Sequence, residues 1–322
     1  MLLLSEDEMR GLLKMEEVME AVEKALAALE RGRAELPQRV RVRIRELGDI
    51  LSMSGYVEDF QLYTSKLISI YPGNPERGLP TVSAALLAFN ASTGQPIALM
   101  SAGHLTAMRT GAICGVATKY LAREDARILA VIGCGTQART QVQAVSRARK
   151  LEAVRVYCRS RQRAERFAEE MERLTGVPVA AASSAEEAVR AADIISTATT
   201  SSEPVLKRQW IKDGAHINAI GSYTPDAREL DTETVVDSKI VVDKLEAALE
   251  EAGDILIPIR EGKLSPDKIY AELGEIIVGR KPGRASENEI TLFKTVGIAV
   301  QDTAAAYVAL RNYLRAFSET KP

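Results

Sequence analysis

The residues of this chain whose types and spacing suit chemistry begin with a glycine-rich stretch. Gly133 and Gly135 stand two positions apart, and Ala138 follows three positions later, directly after the apolar run Ile128–Ile132. Between a strand and a helix, the first glycine permits a tight turn and the second lets the backbone approach a pyrophosphate. The small third residue allows close packing, and free N–H groups at the helix start bind phosphates. The pattern predicts a dinucleotide site; a tight turn without a ligand is the alternative.

The stretch after the next predicted strand indicates which dinucleotide is bound. Folds specific for NAD place an Asp or Glu about 20 residues beyond the glycines, where it binds the ribose 2′-hydroxyl. Residues 157–163 contain no carboxylate and offer Arg159, Ser160, Arg161 and Arg163. Guanidinium groups bind phosphate through paired hydrogen bonds, so NADP(H) is the preferred cofactor and NAD(H) the other candidate. A solvated, charged helix start would have the same composition.

Hydroxyl side chains follow a later apolar strand, over residues 197–202. Ligands of doubly wound sheets bind outside the carboxyl ends of the strands, so these hydroxyls suit a ribose or a nicotinamide. Capping of the next segment is an equally good interpretation.

Three charged side chains outside that region are candidates for substrate chemistry. Lys66 is the only charge in the strand-like segment 63–70. Burial would lower its pKa and let it exchange protons near neutral pH, whereas on a half-exposed strand its amine would extend into water. Arg109 lies among small residues suited to close packing, where an arginine requires an anion nearby. Arg39 begins a run of alternating arginines that suits either a carboxylate or solvent.

Other polar residues are interpreted as structural. His104 is expected to pack or cap rather than catalyse. The charged turn after Gly221 is expected to face solvent; it comprises Asp226, Arg228, Glu229 and Asp231.

The secondary-structure elements that position these residues follow two different patterns along the chain. In the first 116 residues, Ser5 and Glu8 predict a helix-opening capping box, and apolar spacing predicts a helix over 15–31 that Pro37 ends. Residues 39–45 alternate as a strand with one apolar face and one arginine face. Further strands near 50–53, 65–70, 83–90 and 97–100 indicate an α+β domain with a mainly meandering sheet.

From residue 117 onward, short apolar strands alternate with helices. The strands are expected at 128–132, 154–157, 177–181, 194–198, 216–220 and 240–242. Such strands indicate a parallel sheet covered on both faces. The predicted fold class is α/β, with a Rossmann doubly wound sheet in 117–298. A final helix over 300–317 returns to the first domain, which is therefore discontinuous (1–116 with 299–322).

Composition excludes several classes of protein. The 322 residues carry 42 Lys+Arg and 44 Asp+Glu, a net charge of -2, so no basic surface for nucleic acid is expected. No apolar run approaches the roughly 20 residues of a membrane span. Three cysteines, Cys114, Cys134 and Cys158, argue against a disulfide framework and for a cytoplasmic location. Two histidines make a zinc site improbable, and no metal is expected.

The chain resembles the ornithine cyclodeaminase/mu-crystallin family over nearly its whole length. The motifs that carry the resemblance are Pro-Gly-Asn-Pro at 72–75, Gly-Leu-Pro-Thr at 78–81, Arg-Thr-Gly-Ala at 109–112, Gly-Cys-Gly-Thr-Gln-Ala at 133–138, His-Ile-Asn-Ala-Ile-Gly at 216–221, Ala-Glu-Leu-Gly-Glu at 271–275 and Gly-Ile-Ala-Val-Gln-Asp at 297–302. The family includes archaeal-type alanine dehydrogenases and ketimine reductases. The resemblance implies that the discontinuous domain binds substrate and forms a homodimer.

The resemblance also implies roles for individual residues. Arg39 would bind the substrate carboxylate, Lys66 would contact substrate and relay protons, and Arg109 would lie near the cofactor phosphates and the carboxylate. We add Met53 and Tyr223 as substrate contacts. The remaining predicted cofactor contacts are Thr81, Gly133, Gly135, Thr136, Gln137, Arg159, Ser160, Arg161, Arg163, Thr199, Ile220 and Thr295.

One departure from the family pattern bears on the reaction. Cyclodeaminases, and the similar alanine dehydrogenases, carry an aspartate two residues after the glycine that matches Gly221, and Tyr223 stands there in this chain. A phenol with a pKa near ~10 is a poor base at pH 7. The leading hypothesis is therefore an NAD(P)H-dependent oxidoreductase acting on CH–NH or CH–NH2 groups. It would reduce the C=N bond of a small α-imino acid, as a ketimine reductase or an alanine dehydrogenase does. The alternatives are an ornithine cyclodeaminase and a non-catalytic binding protein for small carboxylates.

Overall fold

A computed structural model describes residues 1–319. The chain separates into two compact units, which are Met1–Thr110 together with the chain from Ile298 onward (unit 1) and Gly111–Gly297 (unit 2). The sequence predicts these boundaries at 116/117 and 298/299. The substrate-binding and dimerisation roles of the first domain stay predictions.

The elements alternate along the chain as follows. The helices are α1 (Glu6–Leu12), α2 (Met15–Glu30), α3 (Gly103–Leu121), α4 (Thr136–Ala148), α5 (Arg161–Thr175), α6 (Ala185–Val189), α7 (Thr232–Val236), α8 (Leu245–Glu251), α9 (Gly253–Arg260), α10 (Leu273–Ile277) and α11 (Ala299–Glu319). The strands are β1 (Leu2–Leu4), β2 (Ala34–Glu35), β3 (Val40–Ile44), β4 (Gly48–Val57), β5 (Leu62–Ile70), β6 (Val82–Asn90), β7 (Pro96–Ser101), β8 (Ile128–Ile132), β9 (Ala153–Tyr157), β10 (Val179–Ala181), β11 (Ile194–Thr197), β12 (His216–Ala219), β13 (Ser238–Val242), β14 (Ile269–Glu272) and β15 (Ile290–Lys294).

Unit 1 contains a seven-stranded sheet in the order β1-β7-β6-β5-β4-β2, with β3 also paired to β4. The strands β4 to β7 form an antiparallel meander, as predicted, and β1 runs parallel to β7. The capping box is present: the Ser5 side chain accepts from the Glu8 backbone, and the Glu8 side chain accepts from the Ser5 backbone. Helix α2 ends at Glu30 and is followed by β2, so the prediction that Pro37 ends it is wrong.

The strand predicted over residues 39–45 is present as β3. It pairs only with β4 in the described chain, so little packs against it. Val40 and Val42, on the apolar face of this strand, are 61% and 52% exposed. Arg41 and Arg43 both lie beside Asp49, at 3.2 and 3.7 Å.

Unit 2 contains an eight-stranded sheet in the order β10-β9-β8-β11-β12-β15-β13-β14, and all its pairs are parallel. Alternate residues of β8 enter two different cores: Leu129 and Val131 pack in one, Ala130 and Ile132 in the other. Both faces of the sheet are therefore buried, which confirms the predicted α/β class with a doubly wound sheet. The strand order reverses between β8 and β11, the position where such sheets bind ligands at their carboxyl ends.

The cysteines correct one expectation. Cys134 and Cys158 form a disulfide with Cα atoms 5.9 Å apart, while Cys114 is buried and takes no part in a disulfide. The two cysteines follow β8 and β9, which are neighbouring parallel strands, so strand pairing brings together residues 24 positions apart. Among residues 1–319, no helix is long and apolar enough to cross a membrane. The cytoplasmic location stays a prediction.

Candidate functional site

Lys66 is fully buried in unit 1. It lies in β5, where buried and more exposed positions alternate, and in register it pairs with Met53 of β4 and Leu86 of β6. Its side chain is 0% exposed, so the alternative of an amine in water is wrong. Its Nζ donates to Asp302 Oδ1 at 2.7 Å. Met53, predicted as a substrate contact, is 4% exposed and packs with Leu51 and Ile68.

Close packing of α11 against the sheet brings Asp302 to Lys66. A Cβ atom on Gly55 of β4 would lie 3.1 Å from the Ala299 backbone, which is tighter than most contacts of a Cβ atom, so the glycine favours close approach of the helix. The hydroxyls of Thr64 and Thr303 lie 2.7 Å apart between β5 and α11. Asp302 therefore sits in the first turn of α11, where the helix dipole stabilises a negative charge.

Arg109 is the second cation at Asp302. Its Nε lies 3.0 Å from the same Oδ1 atom that Lys66 contacts, and its Nη1 donates to Gln301 Oε1 at 2.9 Å. The anion that the sequence required beside Arg109 is thus Asp302. Arg39 is half-buried and close enough to Lys66 for its charge to act on the lysine.

The electrostatics of this cluster favour proton exchange and anion binding. Burial lowers the pKa of Lys66 to about 8; Asp302 opposes this effect, and the charges of Arg109 and Arg39 reinforce it. Lys66 and Arg109 share one carboxylate, which leaves an excess of positive charge. The buried side-chain atoms of residues 1–319 that have no hydrogen-bond partner include three in this cluster: Asp302 Oδ2, Arg109 Nε and Gln301 Nε2. Because buried polar atoms are normally paired, the donor Gln301 Nε2 and the excess of cations suit a small ligand that carries a carboxylate, whereas Asp302 Oδ2 can only accept and suits an N–H group of such a ligand.

The glycine-rich loop of unit 2 has the geometry that a dinucleotide needs. Gly133 has φ +113°, and a Cβ atom there would lie 2.3 Å from the Ala198 carbonyl oxygen. Around Gly135 no described atom lies within 4 Å of an added Cβ, which leaves space for phosphates. Helix α4 begins at Thr136 without a side-chain cap from the described residues. The buried Oε1 of Gln137 has no partner there either. These residues fit the pyrophosphate of a dinucleotide.

The arginines after β9 are accessible. Arg159, Arg161 and Arg163 are exposed, and Arg161 pairs with Glu165 at 2.8 Å. The Ser160 hydroxyl caps α5 by accepting from the Arg163 backbone N–H. Their side chains thus lie at the carboxyl end of the sheet, in the stretch that lacks a carboxylate.

The other predicted cofactor contacts of unit 2 follow β11, β12 and β15. Thr199 donates through its hydroxyl and its backbone N–H to Glu229 Oε1, each at 2.7 Å. Ile220 is half-buried, and the Thr295 hydroxyl donates to Asp243. Glu229 is 0% exposed, so the interpretation of its turn as solvent-facing is wrong for this residue.

The two remaining predicted residues lie in different units. Thr81 is half-buried before β6 in unit 1, and Tyr223 is half-buried after β12 in unit 2. In the described part of the chain, no group of three or more His, Cys, Asp or Glu residues could hold a metal ion.

Sequence reasoning missed Asp302 and Gln301 as site residues, although both lie in the motif 297–302. It also missed Glu229. An acidic residue within the apolar, small-residue start of a buried helix was the available signal for Asp302.

Comparison with known proteins identifies the family that has this sequence and fold. The model of the ornithine cyclodeaminase/mu-crystallin family matches residues 1–315. An alanine dehydrogenase of Archaeoglobus fulgidus is 39% identical over 313 residues, 97% of this chain and 95% of that protein. A solved structure of Thermococcus litoralis Δ1-pyrroline-2-carboxylate reductase with NADH and L-proline has 46% identity and a TM-score of 0.96, covering 98% of each chain.

A second solved structure is an archaeal alanine dehydrogenase dimer with bound NAD. It has 39% identity and a TM-score of 0.93, over 98% of this chain and 97% of that one. Sequence and fold therefore agree over essentially the full length of this protein. The chain belongs to the ornithine cyclodeaminase/mu-crystallin family.

Proposed function

We propose that this protein is an NAD(P)H-dependent oxidoreductase that reduces the C=N bond of a small α-imino acid. The observation that carries the proposal is the buried cluster of Lys66, Arg109 and Asp302 in unit 1. It combines a lysine that titrates near neutral pH with positive charge in excess of its one carboxylate. The relatives named above are enzymes of this class.

Each side chain of the cluster has a distinct task. Arg39 and Arg109 bind the substrate carboxylate, because guanidinium groups orient carboxylates through paired hydrogen bonds. Lys66 delivers the proton that the substrate nitrogen gains on reduction. Asp302 stabilises the charged form of Lys66 and fixes its position by a 2.7 Å hydrogen bond. When bound, the reduced nicotinamide supplies the hydride to the imine carbon.

Two substrate types fit this arrangement. One is a cyclic ketimine carboxylate, which the similarity to the pyrroline-2-carboxylate reductase supports. The other is pyruvate with ammonium, which the similarity to the alanine dehydrogenases supports. Tyr223, in place of the cyclodeaminase aspartate, favours reduction over ammonia loss from ornithine.

A substrate panel tests the proposal. NADPH and NADH absorbance at 340 nm is followed with pyrroline-2-carboxylate, piperideine-2-carboxylate, and pyruvate with ammonium. We expect turnover with at least one of them and none with pyruvate alone. Binding of NADPH or NADH without turnover on any substrate would leave only a binding protein, and release of proline from ornithine would indicate a cyclodeaminase.

For the cofactor, we propose a preference for NADP(H), with NAD(H) as the other candidate. The support is local: after β9 the chain offers exposed arginines and no carboxylate, which suits a 2′-phosphate. The two solved relatives contain NADH and NAD, so a strict requirement for the phosphate is not part of the proposal.

We also propose that the protein is a homodimer that pairs through the outer face of the unit 1 sheet. Leu3, Leu67 and Leu99 lie on this face and are 69%, 54% and 39% exposed, beside Tyr63. Their cross-strand neighbours Ser52, Ala85 and Leu87 are uncharged, and exposed apolar patches of this kind mark protein interfaces. Sedimentation should show a dimer that Leu67→Glu converts to a monomer; a monomeric wild type would contradict the proposal.

A further inference from the structure

A second buried cluster, in unit 2, takes no part in the reaction described above. Glu229, Asp254 and Lys294 are each 0% exposed. The Glu229 carboxylate receives four hydrogen bonds at 2.7 Å: Oε1 accepts from Thr199 N and Oγ1, and Oε2 accepts from Thr197 Oγ1 and Gly221 N. One side chain therefore ties the loop after β11 to the loop after β12.

Packing around Glu229 is tight. A Cβ atom on Gly221 would lie 2.5 Å from the Glu229 carboxyl carbon and 2.3 Å from the Thr199 carbonyl oxygen. Only a glycine lets the two loops approach each other across this carboxylate. Their spacing is thus set by Glu229 and Gly221 together.

The backbone of Glu229 is fixed as well. Asp254 Oδ1 accepts from the N–H groups of Glu229 and Leu230, at 2.7 and 3.0 Å. Asp254 Oδ2 lies 2.8 Å from Lys294 Nζ, which also donates to the Ser222 carbonyl at 2.6 Å. Lys294 is the last residue of β15, so the cluster joins the carboxyl ends of three adjacent strands.

The position of β11, β12 and β15 in the sheet indicates which part of the cofactor this cluster helps to bind. In a doubly wound sheet the half that begins with the glycine-rich loop binds the adenosine part of a dinucleotide, and the second half binds the other nucleotide. β11, β12 and β15 belong to the second half, which also contains β13 and β14. We propose that Glu229 is a positioning residue that sets the two loops which bind the nicotinamide half of the cofactor. This inference rests on the proposed function for its cofactor.

The isosteric variant Glu229→Gln tests the hydrogen bonds that the Glu229 carboxylate accepts from the two loops. Backbone N–H groups can only donate, and Glu229 accepts one such donor on each oxygen, from Thr199 and Gly221. A glutamine must turn its NH2 group toward one of them in either orientation. One loop would then lose its contact and move.

Fluorescence titrations on the full-length protein test the proposal with NADPH, reduced nicotinamide mononucleotide and 2′-phospho-AMP. We expect Glu229→Gln to raise the Kd of NADPH and of the mononucleotide about tenfold or more, to lower kcat, and to change the Kd of 2′-phospho-AMP less than twofold. An equal rise in the Kd values of the reduced mononucleotide and 2′-phospho-AMP, or no change in either Kd, would overturn the proposal.

Asp193→Asn is the matched control. Asp193 is another buried carboxylate, and its Oδ2 accepts two backbone N–H groups, from Arg127 and Ile128, at the opposite end of the same sheet. We expect this variant to lower thermal stability and leave the ratio of the two half-cofactor affinities unchanged. A change of that ratio matching the one in Glu229→Gln would show a general loss of structure and overturn the proposal.

A milder variant covers the case in which Glu229→Gln does not fold. Thr197→Val removes one side-chain donor and keeps both backbone bonds. It should raise the Kd of the reduced mononucleotide about threefold, again without an effect on 2′-phospho-AMP; unchanged affinity for both would contradict the proposal. These titrations need no turnover. A protein that binds NADPH but reduces no imino acid would therefore refute the proposed function and leave the proposal for Glu229 standing.

Discussion

Each unit buries a lysine beside a carboxylate, and the two pairs differ in what surrounds them. In unit 1, Lys66 contacts Asp302 at 2.7 Å, Arg109 contacts the same oxygen, and Asp302 Oδ2 has no hydrogen-bond partner among residues 1–319. In unit 2, Lys294 contacts Asp254 at 2.8 Å and also donates to a backbone carbonyl.

The difference separates a site for chemistry from a site for structure. The carboxylates around Lys294 outnumber the lysine, and their oxygens accept backbone N–H groups that join strand ends. The cations around Asp302 outnumber the carboxylate, and buried polar atoms are left for a ligand. Burial lowers the pKa of Lys66 to about 8, whereas burial and Asp254 raise the pKa of Glu229. A buried charge alone therefore does not identify a catalytic residue. What separates the two clusters is the excess of cations around Asp302 and of carboxylates around Lys294, since Asp254 Oδ2 and Asp302 Oδ2 both lack a hydrogen-bond partner among residues 1–319.

Exchanging each lysine for methionine should give opposite results. Lys66→Met removes the proton donor, and loss of a general acid costs about 10²–10⁴-fold in kcat. Arg109 still pairs with Asp302, so we expect a folded protein that binds NADPH with a Kd within twofold of wild type. Turnover within tenfold of wild type would exclude Lys66 as the proton donor.

Lys294→Met should instead act on stability. It leaves Asp254 and Glu229 together without their cation, and breaking a buried ion pair costs about 3–5 kcal/mol. We expect the melting temperature to fall by about 10 °C in a thermal scan, while the pH dependence of any remaining turnover is retained. A larger stability loss in Lys66→Met than in Lys294→Met would reverse the comparison.

The disulfide of unit 2 gives a second, covalent contribution to stability. A bridge over 24 positions stabilises a protein by about 3 kcal/mol, mainly by restricting the unfolded chain. The double variant Cys134→Ser/Cys158→Ser should therefore unfold at lower denaturant concentration than wild type. Dithiothreitol should lower the wild-type midpoint and leave that of the variant unchanged; equal midpoints without reductant would show that the bridge does not form.

The pH dependence of turnover tests the titration of Lys66. Protonated Lys66 is the donor for reduction, and its pKa is lowered from 10.5 to about 8. The rate of imine reduction should therefore fall about tenfold per pH unit above pH 8, and amine oxidation should rise up to about pH 8 and then level. NADPH affinity measured across the same range serves as the control. A flat reduction profile from pH 7 to 10 would contradict the assignment.

Substitutions at the site for the adenosine end of the cofactor should have the smallest effect, because the arginines there are exposed. Arg159→Ala/Arg161→Ala should raise the Kd of NADPH about tenfold and that of NADH less than twofold. Arg166→Ala, an exposed arginine farther along α5, is the matched control and should change neither. An equal rise for both cofactors would remove the support for a preference for NADP(H).

Much of the structure of unit 2 can be predicted from the sequence, because the sequence patterns that indicate it are local. The apolar strands, the two glycines and the absence of a carboxylate in residues 157–163 each lie within a few positions of one another. Strand and helix periodicities act over the same short range, so they predicted the parallel sheet that the structure shows. The capping box at Ser5 was found for the same reason.

What the tertiary structure alone decided involves residues far apart in the chain. Lys66 meets Asp302 across 236 positions, and Glu229 meets Thr199 across 30. Whether a lysine, a glutamate or a cysteine is buried and paired depends on which distant segment packs against it. Composition and spacing determined the kinds of elements and the cofactor loop. The packing of α11 on β4 and β5, and of the turn at Glu229 under two strand ends, determined which charges do chemistry and which hold the fold.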